Sequence, residues 1–303
     1  MKGKWIAVLL GISMLAGVYF FLNPETKQLD DAERKILGGR YITLSNGATH
    51  YKLTGSTDGP LVVLVHGGTI PMWTWDRLTI ALNEAGFRVL SYDQYGRGYS
   101  DRPNVTYDQA LYKQQLIELV DKLGLHQKFD LIGLSVGGGA AVNFTAHYPD
   151  RVRKLILISP LIENFKLPAI FQLPVVGEYA ARLIGVKTIL KRFNALVEGN
   201  PDAEIYSRLF KEQSTYKGFQ RSLLSMLRND AVRDYTKGYR ELGRQTREIL
   251  LIWGMEDTEI TKDMIHAIQS HLPQLVYKPV KNAGHGIVFQ NPDGVNTLVL
   301  DFL

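Results

Sequence analysis

Gly133-Leu134-Ser135-Val136-Gly137 is the stretch whose reading decides the fold. An apolar run, Phe129 to Ile132, leads into it, and a small-residue helical pattern, Gly138 to Tyr148, leads out. Alone, G-x-S-x-G is a weak signal. Between a strand and a helix it describes a sharp turn that strains the serine backbone and needs glycines on either side, because side chains there would clash. Such a turn exposes the hydroxyl near a helix N-terminus, whose dipole favours developing negative charge. Ser135 is therefore the candidate nucleophile. The competing reading is a glycine-rich helix start with an incidental serine.

Outward from this turn, short apolar runs alternate with helical patterns. Leu61 to Val65 is a continuous, mostly β-branched run, as expected of a strand buried on both faces. Further strands are predicted at Arg88 to Tyr92, Phe129 to Gly133, Lys154 to Ser159, Ile249 to Trp253 and Leu275 to Val280. Thr106 and Gln109 form a capping-box pattern before a helix over Leu111 to Leu123. Asn291 followed by Pro292 reads as the N-cap and first residue of a final helix. Strands alternating with helices imply an α/β fold, a parallel sheet covered on both faces. One interruption, Leu161 to Arg247, offers no strand and carries Pro and Gly breaks; a segment that long implies a helical cap.

Three more motifs stand at predicted strand ends. His66-Gly67-Gly68-Thr69 follows the first core strand, and the amides of Gly68 and Val136 are the candidate oxyanion hole. His66 reads as structural, and the glycines could simply make a turn. Trp253-Gly254-Met255-Glu256-Asp257 puts an acid just past a strand's C-terminal end, where open α/β sheets place their sites. Asp257 is the chosen acid, with Glu256 and Glu163 as competitors. Asn282-Ala283-Gly284-His285-Gly286 supplies His285, a base that can take the serine proton while a carboxylate fixes its tautomer. His50, His126, His147, His266 and His271 fit worse, in or beside elements remote from these strand ends.

The order Ser135, Asp257, His285 is that of the α/β-hydrolases. Over roughly Arg40 to Leu303 the chain resembles that superfamily. Asp93-Gln94-Tyr95-Gly96-Arg97-Gly98-Tyr99-Ser100-Asp101 resembles the family's D-x-x-G-x-G-x-S segment, read here as structural. His147-Tyr148-Pro149-Asp150-Arg151-Val152 resembles its usual exit from the helix behind the nucleophile. The resemblance implies the α/β-hydrolase fold: a mostly parallel eight-stranded sheet, helices on both faces, a cap after the sixth strand and no cofactor. Haloalkane dehalogenases and epoxide hydrolases of this fold use an aspartate nucleophile, so Ser135 argues against both. Within the serine branch the chain looks most like carboxylesterases and monoacylglycerol-lipase-type enzymes. A proline iminopeptidase-like peptidase, a C–C bond hydrolase and a receptor-like protein with little turnover stay open as alternatives.

Composition bounds the rest. The 303 residues include no cysteine, which excludes a thiol nucleophile, disulfides and thiolate metal sites. Seven histidines lack metal-ligand spacing, so no metal is expected. Lys2 and Lys4 precede an apolar run from Trp5 to Leu22, about 18 residues, near the lower limit for a membrane span. No small-residue cleavage pattern follows, so the expectation is an uncleaved signal-anchor with the catalytic domain on the extracytoplasmic side; secretion after cleavage is the alternative. The expected organisation is an anchor over 1–22, a linker over 23–38, a core over 39–160 and 248–303, and a cap over 161–247. The cap carries 15 Lys+Arg against 9 Asp+Glu, while the whole chain carries +5. Its apolar residues, among them Phe165, Leu167, Ile170 and Phe171, could wall an acyl pocket, and its basic character suits anionic lipid. The expected partners are a small-molecule or lipid ester and a membrane. The pI of 9.1 comes with no nucleic-acid recognition motif.

Overall fold

Alternation of side chains along the strands builds a sheet with two dry faces. The computed structural model describes residues 23–165 and 167–303, together with Trp5, Gly17 and Phe21. Eight strands form one sheet: β1 (Arg40–Leu44), β2 (Gly47–Gly55), β3 (Leu61–Val65), β4 (Arg88–Tyr92), β5 (Phe129–Leu134), β6 (Val152–Ile158), β7 (Ile249–Gly254) and β8 (Val276–Val280). Their spatial order is β1-β2-β4-β3-β5-β6-β7-β8. The pairs β1–β2 and β2–β4 are antiparallel and all the others parallel.

The helices are α1 (Asp31–Leu37), α2 (Asp76–Glu84), α3 (Gln109–Lys122), α4 (Val136–His147), α5 (Ala169–Gln172), α6 (Val176–Ala180), α7 (Val186–Leu196), α8 (Ala203–Gln213), α9 (Phe219–Arg228), α10 (Thr236–Leu242), α11 (Lys262–His271), α12 (Ile287–Gln290) and α13 (Pro292–Phe302). Val63, Val65, Leu131, Leu155 and Leu251 point to a core shared with α3, α4, α10 and α11. Val62, Leu64, Ile132, Ile156 and Ile252, one residue out of phase, point to the opposite core with α2 and α13. A period of two on a sheet covered on both sides produces this partition, and it explains why the inner strands read as unbroken apolar runs. At the edge, β8 is mostly exposed and carries Pro279, a residue that central strands exclude.

Two local expectations shift. The cap of α3 is Asp108, whose carboxylate accepts from Leu111 N–H at 2.7 Å. Gln109 is instead the first helical residue, and its own N–H donates to Asp230 Oδ1 at 2.8 Å, tying the core to the segment after α9. Asn291 behaves as read, accepting from Gly294 N–H with Pro292 in the first turn. Between β6 and β7 the chain forms the helices α5 to α10, the insertion expected as a cap.

The expected linker does not run free. Lys27 exchanges backbone hydrogen bonds with Thr215 and Lys217. The buried Glu25 carboxylate accepts from Gly218 and Gln220 N–H at the start of α9. Residues 23–38 are thus fastened to the helical insertion and include α1.

The expected location, a single-pass N-terminal anchor with the catalytic domain outside, requires correction. Apart from Trp5, Gly17 and Phe21, the stretch 1–22 lies outside the described residues. Among the described residues no helix is long and apolar enough to cross a membrane. The 14-residue α3 is the longest, and a span needs about 20 apolar residues.

Candidate active site

The β5–α4 turn is as tight as its sequence requires. Ser135 adopts φ 55° and ψ −120°, left-handed backbone rarely tolerated by a residue with a side chain. A Cβ on Gly133 would lie 2.5 Å from Gly137 O, and one on Gly137 would lie 2.2 Å from His66 O. Both flanking positions therefore admit only glycine. Ser135 N–H donates to Ile158 O of the neighbouring strand, and Ser135 O accepts from Gly138, Gly139 and Leu161 N–H. These bonds hold the strained residue at the strand end.

Three strand ends converge there. His285 Nε2 lies 3.0 Å from Ser135 Oγ, and His285 Nδ1 lies 2.9 Å from Asp257 Oδ2. The other Asp257 oxygen accepts from Glu259 N–H and Ile260 N–H at 2.8 and 2.9 Å. Burial works to raise the Asp257 carboxyl, but the His285 contact and these two amides together hold it below the ordinary carboxylate range. With Asp257 ionised, Nδ1 carries the proton and Nε2 presents its lone pair to the serine hydroxyl. The competing acids lie elsewhere: Glu256 and Glu163 are exposed and neither contacts His285.

Gly68 and Val136 line the same small cavity as Ser135 and His285. A Cβ on Gly68 would meet Val136 Cγ2 at 3.0 Å, so the two candidate donor residues are in contact range. His66 is fully buried, its Nδ1 2.7 Å from Gly67 O and its Nε2 accepting from Gln94 N–H at 2.8 Å. Burial pushes its imidazole down to about 4, in keeping with a neutral structural histidine. The segment after β4 is likewise structural: Asp93 accepts from Met72 and Tyr99 N–H and bonds His50 Nδ1 at 2.8 Å.

Two charged residues at the site went unread in the sequence. Glu259 Oε2 lies 3.3 Å from His285 Nε2, and the guanidinium of Arg192 on α7 grips both Glu259 oxygens, Nε to Oε1 at 2.6 Å. Glu259 stands two residues beyond Asp257, so its proximity to the site could have been inferred. Arg192 becomes visible only once α7 is docked over the sheet. Beyond it lies a second cavity of about 280 Å³, walled by apolar residues including Phe171, Ile189 and Leu223, which shares Thr69, Phe165, Arg192 and Leu227 with the first.

Comparison with known proteins agrees with this picture. The model of a family described as the alpha/beta hydrolase family matches residues 62–298. Carboxylesterase YbfK of Bacillus subtilis (strain 168) is 30% identical over 266 residues, spanning 87% of this chain and 86% of that protein. A 2-hydroxymuconate semialdehyde hydrolase of Pseudomonas putida is 28% identical, over 71% of this chain and 76% of its own. Among solved structures, the enol-lactonase from Burkholderia xenovorans LB400 superposes with a TM-score of 0.73 at 19% identity, covering 87% of this chain and 99% of that one. That likeness concerns the fold.

Proposed function

The chain belongs to the α/β-hydrolase family, and from that premise we propose that it is a serine hydrolase that cleaves carboxylic esters with an extended apolar portion. One observation carries the reading: a single imidazole bridges Ser135 Oγ at 3.0 Å and Asp257 Oδ2 at 2.9 Å. His285 takes the Ser135 proton as Oγ bonds to the ester carbonyl carbon. The carbonyl oxygen becomes an oxyanion held by the amides of Gly68 and Val136, each such donor contributing ~10²–10³ in rate. The ester C–O bond breaks as the His285 imidazolium protonates the departing alcohol. Water then adds to the acyl-enzyme, giving its proton to His285, and the acid leaves as Ser135 recovers a proton.

The carboxylesterase relative supports ester chemistry, and the apolar cavity beyond Arg192 supports an acyl chain or similar apolar group. A second reading, C–C bond hydrolysis through the same serine, draws support from the relative named as a semialdehyde hydrolase.

Hydrolysis of p-nitrophenyl esters from acetate to palmitate, beside Ser135→Ala, tests the proposal. Turnover with medium or long chains, lost by at least ~10⁴-fold in the variant, is the expected result. Turnover retained in Ser135→Ala would end the assignment of the nucleophile. A folded wild-type protein inert to every ester would shift the weight to C–C substrates.

A further inference from the structure

The cavity at Ser135 holds a second carboxylate that the proton relay does not use. Glu259 is placed by Asp257 itself, which accepts the Glu259 backbone N–H, and its side chain turns back to put Oε2 3.3 Å from His285 Nε2. That nitrogen is the one facing Ser135 Oγ. A neutral imidazole offers Nε2 as an acceptor, so a carboxylate there has nothing to accept. An imidazolium offers N–H, and the carboxylate would hold it firmly. Left alone, Glu259 would favour the protonated ring and draw Nε2 away from the serine.

Glu259 is not left alone. Arg192 reaches down from α7 and binds both carboxylate oxygens in a fork, its guanidinium also packed 5.8 Å from the Phe165 ring. Arg192, Glu259 and His285 are the charged residues lining this cavity. The charged groups facing His285 are Asp257 and Glu259 from the turn after β7 and, through Glu259, Arg192 from α7. The β5–α4 turn brings the Ser135 hydroxyl, and α12 brings Ile287, Val288 and Phe289.

Resting on the serine-hydrolase reading above, we propose that Arg192 and Glu259 are positioning residues: the arginine neutralises the carboxylate so that His285 stays an unprotonated base aimed at Ser135. Because Arg192 belongs to the helical insertion and Glu259 to the core, docking of α7 and the readiness of the base are one event.

Labelling of Ser135 by a fluorophosphonate, followed from pH 5 to 10, reads the base without requiring the natural substrate. The wild-type protein, Arg192→Met, Arg192→Lys and the double variant Arg192→Met/Glu259→Gln are compared. In Arg192→Met the acid limb is expected to move up by about one pH unit or more, with the high-pH plateau retained. At neutral pH the rate then falls about tenfold, which a simply misfolded insertion would not restore at high pH. Arg192→Lys keeps the charge and so recovers most of the shift, and the double variant returns the limb to the wild-type position or below. An acid limb unmoved in Arg192→Met, or a shift that survives in the double variant, overturns the inference while leaving Ser135 as nucleophile. A folded wild-type protein that never labels overturns the serine-hydrolase reading, and this inference falls with it.

Discussion

Arg97 donates Nε–H to the carbonyl oxygen of Gly68 at 2.5 Å, from a position only 1% exposed to solvent. Its remaining donors go to Gly96 O, Ser222 Oγ and Met226 Sδ, so among the described residues its partners are neutral. A buried cation without a carboxylate is costly unless neighbouring dipoles are fixed to receive it. Here they belong to the loop after β3 and to α9, and the guanidinium therefore orients the Gly68 peptide from behind while joining core to insertion.

Arg97→Met is accordingly expected to damage rate and stability together. Losing the Gly68 anchor lets the proposed oxyanion loop drift, and displacement by about 1 Å can cost ~10²-fold in kcat. The stranded carbonyls and Ser222 hydroxyl should cost about 3 kcal/mol in urea unfolding. Arg97→Lys should rescue little, because a single ammonium cannot reproduce the fork. Esterase assays and urea titrations on the two variants check this; wild-type kcat in Arg97→Met would show the loop needs no such anchor.

The buried His66 gives a pH signature to stability. Its imidazole is held neutral down to about 4, while the ordinary value is 6.5. As pH falls below 6.5 the unfolded chain takes up this proton and the folded chain does not, so folding loses ground. The contribution is complete above pH 6.5 and is lost by pH 4, a change of about 3 kcal/mol. Asp257 and Asp93, both held below the ordinary 3.8, add their losses at still lower pH, outside this window. Urea unfolding at several pH values between 7 and 4 should show the slope, flattened in His66→Gln. A stability constant over that range would refute the assignment of a neutral His66.

What the sequence disclosed and what it hid divide along a physical line. Ser135, Asp257 and His285 each follow a strand, so local patterning carries them to one sheet edge whatever the rest of the chain does. The choice of Asp257 over Glu256 was also legible in principle, since adjacent residues past a strand end point apart. The α3 start was misread because Thr106 and Gln109 match a capping box, while Asp108 offers the nearer oxygen and Gln109 is claimed by Asp230. Arg192 and Arg97 stayed hidden for another reason. Their roles depend on where α7 and α9 dock, and no local period encodes the seating of an inserted helix.

Gln220, on α9, presents the opposite case: a polar side chain with nothing to bind. It is 6% exposed, and neither its amide nitrogen nor its amide oxygen finds a hydrogen-bond partner among the described residues. It lines the apolar cavity beside Leu223 and Leu224, and also an outer cleft that holds Arg221 and Arg228. Burying an unsatisfied amide costs about 1–3 kcal/mol, so Gln220→Leu should raise stability by roughly 1 kcal/mol despite enlarging no contact network. The same change extends the apolar wall, and kcat/KM for p-nitrophenyl decanoate should rise a few-fold while acetate hydrolysis, which does not reach that wall, is little affected. Denaturant midpoints and the ratio of the two rates give the answer. A less stable Gln220→Leu protein would mean that the amide is satisfied in solution, and an unchanged decanoate-to-acetate ratio would separate this cavity from the path of the acyl chain.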